Sequence, residues 1–175
     1  MILRTDSKRI HFFLLCSVLV LLLASELYSQ KKTIILVRHA EKDAVQSEMS
    51  GDPALSVAGK ERAERLVTKI KKYRPGAVYS TDYIRTRDTA APMAKRRKLQ
   101  IQIYDAKKPN ELIDQVLKSR TKRFLIVGHS NTIPELANLL IKKDLFQSLD
   151  ENEYGTIWLI RIKSGGVVKV ELLEY

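Results

Sequence analysis

The stretch Thr33-Ile34-Ile35-Leu36-Val37-Arg38-His39-Ala40-Glu41-Lys42 decides how the rest of the chain is read. Thr33 to Val37 is a continuously apolar, largely β-branched run, the composition of a central strand covered on both faces. It gives way at once to Arg38, His39 and the charged pair Glu41-Lys42. Arg123-Phe124-Leu125-Ile126-Val127 is its twin, followed by Gly128-His129-Ser130-Asn131. Gly76 to Ser80 and Leu99 to Tyr104 are shorter strand candidates, the second alternating as a half-exposed edge strand does.

Helical spacing fills the intervals. Ala63, Leu66, Val67 and Ile70 predict a helix starting near Ser56, with Lys69, Lys71 and Lys72 toward its end. A second runs from about Ile84 toward Lys98 with Pro92 inside it, where the missing amide and the ring clash predict a kink or break. A third covers about Asn110 to Lys118 through Leu112, Ile113, Val116 and Leu117. The fourth begins after His129, with Asn131 as its cap, Pro134 in its first turn and Ile133, Leu136, Ala137 and Leu140 as its buried stripe. Thr156 to Ile162 and Val167 to Leu173 flank Ser164-Gly165-Gly166, the signature of a C-terminal β-hairpin. Strands alternating with helices predict an α/β three-layer sandwich, its central sheet largely parallel and its helices on both faces.

Residues 1–29 read as an export signal. Arg4, Lys8 and Arg9 form a basic head, and Phe12 to Ala24 is an uncharged, mostly apolar run too short for the roughly 20 residues a membrane span needs. A retained N-terminal anchor is the alternative. The domain is then residues 30–175. Cys16 is the only cysteine, so a cleaved chain has no thiol and no disulfide framework. The expected location is periplasmic or secreted, or membrane-anchored on the extracytoplasmic side if the leader stays. With 45% apolar residues the chain can bury one sizeable core, and its net charge of +11 favours anionic partners.

Both histidines of the domain, His39 and His129, stand at the carboxyl ends of its two strongest strands, where open α/β sheets place their ligands. A structural histidine has no reason to choose such a place twice. Neutral imidazole is a competent nucleophile near pH 7, and attack on phosphorus needs fork-shaped cationic donors for the non-bridging oxygens. Arg38 supplies one fork, provided the strand has already turned into loop, since adjacent strand residues face opposite ways. Arg85 falls in the first turn of a helix after Tyr79-Ser80-Thr81, where main-chain amides and the helix dipole already favour an anion.

Four motifs in order resemble the histidine phosphatase superfamily, also called phosphoglycerate mutase-like, and its small bacterial phosphatases in particular. They are Leu36 to Lys42, Leu55-Ser56-Val57-Ala58-Gly59-Lys60-Glu61-Arg62-Ala63 with Arg62 where the family has Gln, Tyr79-Ser80-Thr81 with Arg85 and Thr89-Ala90, and Val127 to Ser130. The resemblance implies that His39 is transiently phosphorylated, that Arg38 and Arg85 bind the phosphoryl group, and that His129 stabilises its charge. No metal or cofactor is implied. Amides at Ser130 and Asn131 are further phosphate-binding candidates. Asp105, just after the Leu99 to Tyr104 strand, is the candidate general acid, with Glu135 and Asp82 as alternatives.

The expected activity is an extracytoplasmic, metal-independent phosphomonoesterase acting on a small phosphorylated molecule. A non-catalytic phosphate-binding module and a phosphoglycerate mutase-type phosphotransferase are the other readings. Lys71-Lys72, Lys95-Arg96-Arg97-Lys98 and Lys142-Lys143 raise nucleic-acid binding, which is not expected, because no interleaved aromatics form a stacking platform. Membrane association is expected only if the leader is retained.

Overall fold

The computed structural model describes residues 31–49, 51–163 and 166–175. The expected leader and Ser164 and Gly165 of the expected hairpin turn lie outside the described residues. Lys31–Tyr175 forms one compact unit.

Six strands build one sheet: β1 (Lys32–Arg38), β2 (Ala77–Ser80), β3 (Ile101–Ile103), β4 (Arg123–Gly128), β5 (Thr156–Lys163) and β6 (Gly166–Glu174), in the spatial order β3-β2-β4-β1-β5-β6. The pairs β1/β4, β2/β4 and β2/β3 are parallel, whereas β1/β5 and β5/β6 are antiparallel. The sheet is therefore mixed, with a parallel half and the expected C-terminal hairpin added beside β1. The twin apolar runs are neighbours at its centre, and the alternating β3 is its edge.

Among the described residues, five α-helices connect the strands: α1 (Ala44–Met49), α2 (Val57–Ile70), α3 (Ile84–Arg97), α4 (Pro109–Lys118) and α5 (Thr132–Ile141). Because successive strand residues point to opposite faces, Ile34 and Leu36 of β1 join Phe124 and Ile126 of β4 in one cluster, with Leu112 and Val116 of α4 and Ile133, Leu136, Ala137 and Leu140 of α5. Ile35, Val37, Leu125 and Val127 join Leu66, Val67 and Ile70 of α2 and Ala90, Met93 and Ala94 of α3 on the other side. These are the three layers the sequence predicts. Each such Leu, Ile or Val contributes about 1.5–3 kcal/mol relative to exposure, so the two clusters hold the strand ends rigidly.

Two local details differ from expectation. Helix α3 is not broken at Pro92, where the bond lost to the Asp88 carbonyl falls on a half-buried surface that water can reach. Asn131 makes no side-chain cap. The Thr132 hydroxyl instead accepts from the His129 amide at 2.9 Å.

The loop after β1 is pinned to α2. Ser56 caps α2 as expected, its hydroxyl accepting from the Gly59 amide at 3.1 Å, while the Ser56 amide donates to the Glu41 carbonyl at 3.0 Å. A Cβ on Gly59 would lie 2.2 Å from that carbonyl oxygen, so only glycine permits this approach. Arg62 forks both carboxylate oxygens of Glu41 at 2.6–2.9 Å and reaches the Tyr175 main-chain oxygen at 3.0 Å. Burial pushes the Glu41 pKa up, but the Arg62 hydrogen bonds outweigh it and hold the carboxyl below its usual value. Arg62 at a position where the resembled family has Gln thus ties the opening motif to the end of the chain.

Candidate active site

Register brings the histidines together. Arg38 pairs with Gly128 across parallel β1 and β4, so the next residue of each strand is a histidine. The His39 amide still donates to the Gly128 carbonyl at 2.9 Å, and the two imidazole centroids are 5.5 Å apart at 67°. Gly128 is required here, because a Cβ would stand 2.7 Å from the Tyr104 hydroxyl and 2.9 Å from that of Thr132.

His39 is buried, 5% exposed. Its Nδ1 lies 2.8 Å from the Ala40 carbonyl oxygen, which can only accept, so Nδ1 carries the proton and Nε2 the lone pair. The Ala40 amide is in turn held by the Thr89 hydroxyl of α3 at 2.9 Å. Burial, countered by that carbonyl and reinforced by the Arg85 and Arg38 charges, drives the His39 pKa down to about 3.

His129 Nε2 is 2.9 Å from the Thr81 hydroxyl oxygen. The Thr86 hydroxyl donates to the Thr81 and Tyr83 carbonyls, and Thr81 donates to Thr86 at 3.0 Å. With its one proton used, Thr81 accepts from Nε2–H, which leaves the His129 lone pair on Nδ1. Burial first, then Arg85 and Arg38, lower the His129 pKa to about 4, and only Asp52 acts in the raising direction. Both imidazoles are therefore neutral near pH 7, and both feel both guanidinium charges.

Arg38 ends β1 and is 2% exposed. Its Nη1 donates to the main-chain oxygens of Asp150 at 2.6 Å and Glu153 at 3.0 Å, its Nη2 lies 3.5 Å from the Glu151 carboxylate, and its guanidinium stacks 4.2 Å from the Tyr154 ring centre. Its buried Nε has no hydrogen-bond partner. A buried, charged donor without an acceptor is costly unless an anion completes it.

Arg85, in the first turn of α3, stacks 4.4 Å from the Tyr83 ring centre and lies 3.3 Å from Asp52. The Asp52 carboxylate also accepts from the Ile84 amide at 2.9 and 3.1 Å, so a carboxylate already uses the anion-favouring end of α3. The Tyr83 ring stands 4.9 Å from His129, edge to face.

The remaining sequence candidates lie elsewhere or contribute differently. Asp105 follows β3, three strands from β1, about 14 Å across the sheet at the usual strand spacing. It is exposed and its carboxylate accepts from the Lys107 amide at 2.9 Å, shaping the turn into α4. Among the described residues, no hydrogen bond or ion pair joins it to the two histidines or two arginines. Asp82 pairs with Arg87 at an exposed position, and Glu135 is an exposed residue of α5. Ser130 presents its carbonyl to the Leu149 amide at 3.0 Å, which anchors the segment that reaches Arg38.

Sequence reasoning assigned no role to Asp52, Tyr83, Tyr154 or the 150–153 carbonyls. Tyr83 had a signal in its place two residues before Arg85, and Asp52 in its position just before the Leu55-Ser56 motif. The 150–154 segment had none. Among the described residues, no group of three or more His, Cys, Asp or Glu side chains is placed to share a metal ion.

The family model of the histidine phosphatase superfamily, branch 1, matches residues 34–108, which include Arg38, His39 and Arg85 and end before His129. Solved structures share the fold. An alpha-ribazole phosphatase from Shigella flexneri is 15% identical, with 82% of this chain and 96% of that one covered at a TM-score of 0.66. A phosphoglycerate mutase from Bacillus anthracis is 16% identical, with 85% and 95% covered at 0.65. A protein histidine phosphatase complexed with tungstate is 11% identical, with 81% and 96% covered at 0.64. No curated protein matches the chain. The resemblance to the histidine phosphatase superfamily is thus borne out, and the α/β architecture is that of its phosphatases and mutases.

Proposed function

We propose that the chain is a phosphatase of the histidine phosphatase superfamily that cleaves a small phosphorylated molecule through a phosphohistidine on His39, outside the cytoplasm. The observation that carries this reading is the His39 ring itself: neutral, its Nδ1–H fixed on the Ala40 carbonyl and its Nε2 lone pair left beside two guanidinium groups.

The Nε2 lone pair attacks phosphorus and the bond to the leaving oxygen breaks. Charge appearing on the His39 ring is spread into the Nδ1–H bond with Ala40. Arg38 and Arg85 balance the non-bridging oxygens, with Arg38 Nε as the donor still lacking an acceptor. As the dianion arrives, His129 takes a proton from solvent at Nδ1 and, as imidazolium, hydrogen-bonds a phosphoryl oxygen, and the proton returns to solvent when phosphate leaves. Water then attacks the phosphohistidine, restoring the Nε2 lone pair and releasing inorganic phosphate. A tetrahedral oxyanion bound by one structural relative, tungstate, fits such a seat.

The leaving oxygen needs a proton. Asp105 lies across the sheet, and the Asp52 carboxylate is occupied by the Ile84 amide and Arg85. Substrates with weakly basic leaving groups, or ones that carry their own proton, suit this site. The same observation favours the second reading, a phosphate-binding module without turnover.

Turnover of an aryl phosphate by the protein and by His39→Ala tests the proposal, and unchanged turnover in the variant would defeat it. Trapping labelled phosphate on His39 after an acid-free quench separates enzyme from binder, because a binder acquires no covalent label.

A further inference from the structure

We infer that the end of the domain opposite the histidines is a docking surface for an anionic lipid bilayer. The four parallel strands run the same way, so their amino ends gather at one pole with the segments that lead into them. The Thr33 amide bonds to the Lys122 carbonyl at 2.8 Å, the Gly76 amide to the Arg123 carbonyl at 2.8 Å, and Arg97 Nε to the Pro75 carbonyl at 2.9 Å. Lys32 Nζ ties the chain's entry to the Ser119 and Thr121 carbonyls.

Segments 69–76, 95–100 and 119–123, together with Lys31 and Lys32, hold many Lys and Arg and not one Asp or Glu. Lys71, Lys72, Arg74, Arg96 and Arg97 surround a single hollow of about 600 Å³. Among the described residues none of these five is in an ion pair. Helix dipoles account for cations in the last turns of α2 and α3. They do not account for Arg120 and Lys122, which precede β4, or for Arg123, its first residue, all three of them exposed. Arg74 and Lys98 moreover adopt positive φ, 49° and 54°, at helix ends where glycine is the less strained choice.

With the leader retained, a bilayer is selected over other polyanions by where the chain enters. Lys31 is at this pole, and the residues before it carry the apolar run Phe12 to Ala24 and the basic Arg4, Lys8 and Arg9. An apolar segment followed by a polybasic surface is the two-part pattern that binds anionic membranes, each signal alone being weak. Single-stranded nucleic acid asks for successive exposed aromatics along a basic groove. Tyr73 is the one aromatic of these segments, and it packs on the core. The seven residues of β1 separate this pole from His39 by about 20 Å, so a docked domain keeps its catalytic face toward water.

The test sediments the full chain with vesicles of phosphatidylcholine alone and with vesicles containing phosphatidylglycerol. The triple variant Lys71→Glu, Lys72→Glu, Arg96→Glu is compared with a control triple, Lys60→Glu, Lys107→Glu, Lys108→Glu, and the melting midpoints of both show that they fold. Expected are stronger, salt-sensitive binding to the anionic vesicles than to the neutral ones, a loss of about a hundredfold on the anionic vesicles in the first triple, and a loss of less than about tenfold in the control, at roughly 1 kcal/mol for each basic residue near the surface. Equal binding to both vesicle types, equal losses in the two triples, no binding at physiological salt, or displacement from the vesicles by equimolar duplex DNA would each overturn the inference.

Discussion

Lowering the pH from 7 to 5 perturbs one feature above all, the pair of neutral imidazoles at the heart of the site. His39 and His129 have native pKa values of about 3 and about 4, against 6.5 when exposed. Below pH 6.5 the unfolded chain binds a proton at each and the native protein does not, so stability falls as the pH falls through this window and is fully present above it. Between pH 7 and 5 each histidine forfeits about 2 kcal/mol, about 4 kcal/mol for the two. Ordinary carboxylates stay largely ionised over that range and contribute little. Urea unfolding at pH 7, 6 and 5 measures the loss, and His39→Asn, which keeps a polar donor but cannot titrate, should show about half of it. Saturating inorganic phosphate should also reduce the loss, because an oxyanion beside His129 restores its basicity. A His39→Asn protein with the same pH slope as the parent would refute the assignment of a neutral, buried nucleophile.

Three further outcomes follow from the geometry. Arg38→Lys replaces a planar fork, stacked on Tyr154 and clamped by two carbonyls, with a point charge, and kcat/KM should drop by about 10²–10³ in steady-state assays with an aryl phosphate. Glu151→Gln removes an exposed carboxylate 3.5 Å from Arg38 that competes with the substrate's charge, so KM should fall about two- to fivefold with kcat nearly unchanged. Gly59→Ala places a methyl 2.2 Å from the Glu41 carbonyl oxygen, and chemical denaturation should show a net loss of about 2 kcal/mol, overpacking outweighing the gain in helix propensity.

Much of the fold was legible because it is written in short-range patterns. The apolar runs at 33–37 and 123–127, the 3.6-residue stripe of Ala63, Leu66, Val67 and Ile70, and the Ser56 cap report on backbone and burial within a few residues, and each reappears in the structure. Pro92 does not break α3, because the freed Asp88 carbonyl is on a half-buried surface where water can satisfy it, and how much water reaches a helix is not written in its own sequence. Asp105 stood in the right order along the chain for an acid, but β3 is the sheet's edge, and order in sequence carries no distance.

The sequence by itself determined that two histidines cap two central strands, that an arginine precedes the first and another opens a helix, and that the domain is strongly cationic. Tertiary structure alone decided that β1 and β4 are neighbours in register, which sets the imidazole rings 5.5 Å apart. It alone brought Asp52 to Arg85 and the 150–154 segment to Arg38. The physical reason is range: propensity and periodicity act over one or two turns of chain. A side chain's partner across a hundred residues is chosen only when strand order and loop closure have fixed which surfaces meet.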